Sequence, residues 1–216
     1  MKNQSTVPSA RIIHKGEFEA HHHYYPKALN ATINPVVSYF LNLSQERIIK
    51  RYCHLNPKVK ENVLGELLNY QPRFFFWAGA DLIHVTSANG RRRMVVIENN
   101  SCPSGQKSMP LLDDHAEQGG YQKLMAQTFR YFMKKRAPKI KGALAVIYDK
   151  NPMEASGYAA AMADLFDEPV YYAFFDQKAP NQPVRFREGI MEVRDQKGEW
   201  HPIRGAFRYL TQRPWN

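Results

Sequence analysis

The dipeptide Asn89-Gly90 lies between two runs of β-branched and apolar residues, Asp81–Thr86 and Arg92–Glu98, and it constrains the fold more than any other feature. A two-residue hairpin loop of type I′ needs left-handed backbone at both central positions, and Asn-Gly supplies that at least cost. The stretch therefore predicts a β-hairpin. With Asn89 and Gly90 at the centre, Ala88 faces Arg91, every further pair sums to the same total, and Asp81 falls opposite Glu98. Side chains directly opposite have Cβ atoms about 4.5–5.5 Å apart. Asn100, two residues past Glu98, projects to the same face if the strand continues.

Two like charges across a ladder destabilise it unless a proton or a cation sits between them. A hard divalent ion, Mg²⁺ or Mn²⁺, removes the repulsion and takes oxygen ligands of this kind, so Asp81, Glu98 and Asn100 read as a metal site. The competing reading is an exposed hairpin end where the acids are merely solvated.

Asp81, the hairpin, then Glu98-Asn99-Asn100 and Pro103-Ser104-Gly105 resemble the metal-binding end of ATP-grasp ligases, in which an Asp precedes a strand carrying Glu-x-Asn and a loop of small residues. The resemblance implies that Asp81, Glu98 and Asn100 hold the Mg²⁺ (or Mn²⁺) ions that bridge the ATP phosphates. It places the loop 101–108 against the acceptor substrate, with Ser104, Gly105 and Lys107 near acceptor or phosphate. Gly79 stands where the family often has a basic residue.

The chain has 216 residues with 44% apolar and 12% aromatic content, which is globular composition. No apolar run reaches the roughly 18 residues that span a bilayer, and the N-terminus has no secretory apolar core. The expectation is a cytoplasmic protein. A net charge of +10 favours anionic partners: nucleotides, carboxylate substrates, nucleic acid or an acidic surface. Cys53 and Cys102 make no disulfide framework, and Cys102 reads as a small buried thiol.

In chain order, residues 1–30 carry little periodicity and read as an arm or irregular cap. Adjacent His21, His22 and His23 do not share one face of an element, so they predict hydrogen bonding near a cleft rather than a three-histidine metal site. Asn34-Pro35, Ser44 and Asn56-Pro57 each supply a helix start, predicting about three helices up to Tyr70. The aromatic run Phe74–Trp77 suits a buried strand entering the hairpin. Gly105-Gln106-Lys107-Ser108 lacks the glycines of a Walker A loop, yet its successive N–H groups suit an anion-binding turn. Leu124, Phe129, Phe132 and Met133 give the stretch 111–136, interrupted by Gly119-Gly120, a buried helical face.

Ala143–Tyr148, Glu154–Phe166 and Pro169–Phe175 read as strand, helix and strand, one βαβ unit with a parallel pair. Arg185–Arg194 and Trp200–Leu210 read as two strands joined around Asp195–Gly198. The fold class expected is α+β. It comprises an arm and helical segment over 1–70, an ATP-grasp-type hairpin, loop and helix over 71–140, and a small α/β subdomain over 141–216. The last third is similar to the substrate-binding subdomain of ATP-grasp enzymes. It follows the Glu-x-Asn hairpin as in circularly permuted members resembling glutathionylspermidine synthetase.

The resemblance implies an ATP- and Mg²⁺-dependent carboxylate–amine or carboxylate–thiol ligase, or part of one, proceeding through an acylphosphate. The expected partners are a nucleotide and a small carboxylate. Arg208 and Arg213 are candidates for that carboxylate, because a guanidinium matches it bidentately. The nucleotide-clamping portion would follow the last residue, so a further segment or partner chain is expected to complete the site, unless the fold has no turnover. A metal-dependent nuclease or nucleic-acid-binding protein is the other reading, suggested by the positive charge, Arg91-Arg92-Arg93 and the paired acids, but Asn100 stands where such nucleases want lysine.

Overall fold

A computed structural model describes residues 9–73, 75, 77–100, 104–111, 113, 115–136, 141–176 and 178–211. The arm is not irregular: it holds strand β1 (Arg11–Ile13) and two single-turn helices, α1 (Ala20–His23) and α2 (Pro26–Leu29). Three longer helices follow, α3 (Pro35–Leu41), α4 (Gln45–Leu55) and α5 (Glu61–Asn69). The Asn34 side chain accepts from Val36 N–H and the Ser44 hydroxyl from Arg47 N–H, so both caps lie where the sequence puts them. Asn56 does the reverse. Its backbone and side-chain N–H groups both bond back to the Tyr52 carbonyl, so Asn56-Pro57 ends α4, and α5 opens at Glu61 after Lys60.

The aromatic run forms no strand at Phe75 or Trp77; Phe75 is 52% exposed and Trp77 half-buried, while Phe74 and Phe76 lie outside the described residues. Next comes the hairpin of β2 (Gly79–Thr86) and β3 (Arg92–Asn100), a two-stranded sheet of its own. After it, α6 (Gly119–Leu124) continues through a π-helical stretch, Met125–Phe129, into α7 (Arg130–Arg136). Gly119-Gly120 opens this helix instead of interrupting it. A Cβ at Gly120 would lie 2.4 Å from the Gln106 amide oxygen, so the glycine permits a close approach.

The remaining elements are β4 (Ala143–Tyr148), α8 (Pro152–Phe166), β5 (Val170–Phe174), β6 (Val184–Arg187), β7 (Ile190–Arg194) and β8 (Trp200–Tyr209). Arg185–Arg194 is thus a hairpin rather than one strand, turning at Glu188 and Gly189, whose φ angles of 52° and 78° are both left-handed. The sheet order is β1-β5-β4-β8-β7-β6. β4 pairs in parallel with β5, as one βαβ unit requires, and also with β8; the outer pairs are antiparallel. The protein is mixed α+β.

Two units emerge, one from residues 1–31 and 104–216, the other from 32–103. This cut differs from breaks after 70 and 140, because β1 joins β5 and carries the arm into the α/β unit. There, β4 is buried from Leu144 to Ile147. Leu144 and Val146 share a face with Gly205 and Phe207 of β8, and the Phe129 and Tyr158 rings pack on Phe207. The opposite face closes on Ala145, Ile147, Tyr171, Ala173, Val193 and Ile203, with Ala10 bonded through its N–H to the Arg194 carbonyl. The sheet therefore curls until β7 reaches the arm. Leu124, Phe129 and Met133 are buried as the helical stripe predicts, and Phe132 is half-buried. Among the described residues no helix is long and apolar enough to cross a membrane.

Candidate functional site

In the hairpin, Asp81 pairs with Glu98. The turn, however, is not type I′. Ser87 pairs across to Arg91 (N···O 2.9 Å), Gly90 N–H returns to the Ser87 carbonyl (2.8 Å), and only Gly90 is left-handed, at φ 75°. The Asn89 side chain explains this, taking the Ser87 hydroxyl at 2.5 Å and Arg91 N–H at 3.3 Å and keeping Asn89 out of the left-handed region. The loop gains a residue, so Thr86 faces Arg92 and Leu82 faces Val96. A bulge between Asp81 and Leu82 leaves Ile97 as the extra residue on β3, which restores the pairing. Two departures from the simple register cancel at the carboxylates.

Asp81 and Glu98 are exposed, and Asn100, half-buried, donates its amide to Glu98 Oε1 at 3.1 Å. No described cation forms an ion pair with either acid. The donor set is two carboxylates and an amide that still offers its oxygen, an all-oxygen set fitted to Mg²⁺ or Mn²⁺. Arg91, Arg92 and Arg93 sit at the other end of the same hairpin.

The loop proposed to meet phosphate finds its anion inside the protein. Gly105 and Gln106 donate their backbone N–H groups to Glu154 Oε1 at 2.8 and 2.7 Å, and Lys107 Nζ lies 3.7 Å from Oε2. Glu154, in the first turn of α8, is wholly buried. Tyr209 and Tyr158 add hydroxyl donors at 2.7 and 3.3 Å. Burial beside this carboxylate pushes both phenols well above their ordinary range. Ser104, exposed, lies near the Tyr209 hydroxyl, and Lys107 also lies 5.8 Å from the Tyr25 ring centre. Gly105 and Lys107 are thus engaged by an internal carboxylate, which corrects the reading of an open anion-binding turn. The sequence carried a signal for Glu154, namely one charge among Met, Ala, Ser, Gly and Tyr in a helix otherwise free of charge up to Asp164.

Asp149, leaving the carboxyl end of β4, takes the Thr211 N–H on both oxygens at 2.9 and 2.8 Å. Arg208 on β8 is exposed and forms no ion pair with a described residue; Arg213 lies outside the described residues, as does Cys102. His23 is buried, its Nδ1 3.0 Å from the Ser156 hydroxyl, and burial lowers its pKa below the usual histidine value. His21 and His22 stay exposed.

A group the sequence did not single out is Asp195, Glu199 and His201, whose ligand atoms lie within 4.8 Å of one another. Asp195 Oδ1 accepts the Lys197 and Glu199 N–H groups, and Oδ2 meets His201 Nε2 at 2.9 Å. The His201 hydrogen bond holds the Asp195 carboxyl below its ordinary pKa. Tyr171 stacks on the imidazole at 5.0 Å. The Asp195 oxygens are spent on the β7–β8 turn, which gives the cluster a structural task.

Comparison of the chain with protein-family models, with curated proteins and with solved structures finds no match.

Proposed function

We propose that the protein is an ATP- and Mg²⁺-dependent ligase of ATP-grasp type, or part of one, joining a carboxylate to an amine or thiol through an acylphosphate. The observation that carries this reading is the β2–β3 register, which faces Asp81 with Glu98 beside the Asn100 amide, with no cationic side chain paired to either acid among the described residues. When bound, Mg²⁺ would neutralise charge on the transferring phosphoryl group. Asp81 and Glu98 would hold it through carboxylate oxygens, and Asn100 would add its amide oxygen while its N–H fixes the Glu98 rotamer. Ser104 and Arg208, both exposed, remain candidates for the acceptor and carboxylate. Gly105 and Lys107 act by shaping the loop on Glu154.

The test is calorimetric titration of Mn²⁺ and Mg²⁺, with and without ATP, into the parent chain and an Asp81→Asn, Glu98→Gln variant. The reading expects metal binding that ATP strengthens and the double substitution abolishes. Binding that survives in the double variant, or none in the parent with ATP present, would overturn it.

A further inference from the structure

The α/β unit contains a cleft of about 510 Å³ on the side of α8 away from the Glu154 loop contacts, within the range of small-molecule sites. Its walls bring Arg11 and Ile13 from alternate positions of β1, Glu17 and Glu19 from the segment before α1, and Ala160 from α8. His23 also lines it, beside Ser156. Arg11 and Glu17 form no ion pair with a described residue, and Glu19 meets only His21 at 3.9 Å. Charges of both signs therefore face one space unmatched.

His23 forms part of the cleft wall. Only 5% exposed, it keeps Nε2 with no hydrogen-bond partner among the described residues. Its Nδ1 lies 3.0 Å from Ser156 Oγ and 3.4 Å from the Met153 carbonyl, while the Ser156 hydroxyl itself donates to Met153 O at 2.9 Å. A carbonyl only accepts, and the serine proton is already placed, so Nδ1 carries the imidazole proton and Nε2 presents a lone pair. A buried polar atom without a partner costs about 1–3 kcal/mol, and because Nε2 is closed to solvent as well as unpartnered it offers a ligand no contact.

A simple anion would meet Arg11 but also two carboxylates. A simple amine would satisfy the carboxylates and leave Arg11 unmatched. A molecule that carries an ammonium and a carboxylate on one carbon answers charges of both signs, and Ile13 and Ala160 give its remainder an apolar wall. We propose that this cleft binds a small aliphatic α-amino acid, its carboxylate on Arg11 and its ammonium between Glu17 and Glu19. The inference stands apart from the ligase reading, since it uses none of the hairpin residues.

The experiment is calorimetry on the full chain with L-leucine, L-valine and L-alanine. Isoamylamine and 4-methylpentanoate, which are leucine without its carboxylate and without its amine, serve as controls. One of the amino acids is expected to bind, with leucine at least about ten-fold tighter than either control if leucine is that ligand. Arg11→Gln should weaken it by about ten-fold while leaving isoamylamine unchanged, and Glu17→Gln with Glu19→Gln should weaken it while leaving 4-methylpentanoate unchanged. All three side chains are exposed, so these variants keep the fold. No heat with any of the three amino acids, or equal binding by a single-charge control, would overturn the proposal.

Discussion

The two units are held by different forces. In the α/β unit, β4 is buried on both faces, α8 is buried over most of its length, and a charged side chain is accommodated inside because five donors surround it. Among the described residues of 32–103, none is buried. Its helices stand on local terms, the Asn34 and Ser44 caps and the Glu46–Lys50 pair at 2.6 Å, and its hairpin leaves Ile83, Val95, Val96 and Ile97 between 45% and 57% exposed. An isolated two-stranded sheet is marginal in water, whereas a covered six-stranded sheet is not. The same propensities thus act in both units, but only one adds burial to them.

That contrast is sharpest in amide exchange. The amides of β4 are expected to exchange at least about a thousand-fold more slowly than those of β2 and β3, read by hydrogen–deuterium exchange. Similar rates in the two would erase the distinction.

Substitution tests it next. Glu154→Ala leaves two backbone N–H groups, two phenols and Lys107 without their shared acceptor, a loss of about 3–5 kcal/mol by denaturant unfolding. Val96→Ala on the hairpin, 54% exposed, should stay within about 0.5 kcal/mol. Two glycines make a matched pair. A Cβ at Gly157 would lie 2.6 Å from the Tyr121 ring, so Gly157→Ala should destabilise by about 1–3 kcal/mol. At Gly65, in α5, the nearest atom is Ile49 Cδ1 at 3.6 Å, so Gly65→Ala should stabilise its helix by up to about 1 kcal/mol.

The smallest effect is pH dependence. Burial lowers the His23 pKa, reinforced by His21 and His22 and opposed by Met153 O and Glu19. The unfolded chain therefore takes up the proton first, so the α/β unit is at full stability above pH 6.5 and loses it as pH falls through that value. Unfolding midpoints followed from pH 8 to 5 should show this slope, and His23→Gln should flatten it.

Much of the architecture was legible locally. The caps at Asn34 and Ser44 obey short-range hydrogen-bond chemistry, and Ala143–Tyr148 with the alanine-rich helix after it reads as βαβ from apolar runs alone. The candidate carboxylate pair was legible for a less secure reason, since the extra loop residue and the Ile97 bulge happen to cancel. Asn56 misled because Asn suits both ends of a helix, and only its bonds to Tyr52 show which end it serves.

The sequence by itself determined where chains turn, cap and alternate, because those choices depend on residues a few positions apart. Only the tertiary structure decided that β1 lies against β5, that β8 runs parallel to β4, and that Glu154 captures the loop at Gly105. These contacts join residues from 49 to about 160 positions apart, and no periodicity records which distant partner satisfies a buried charge or an open strand edge.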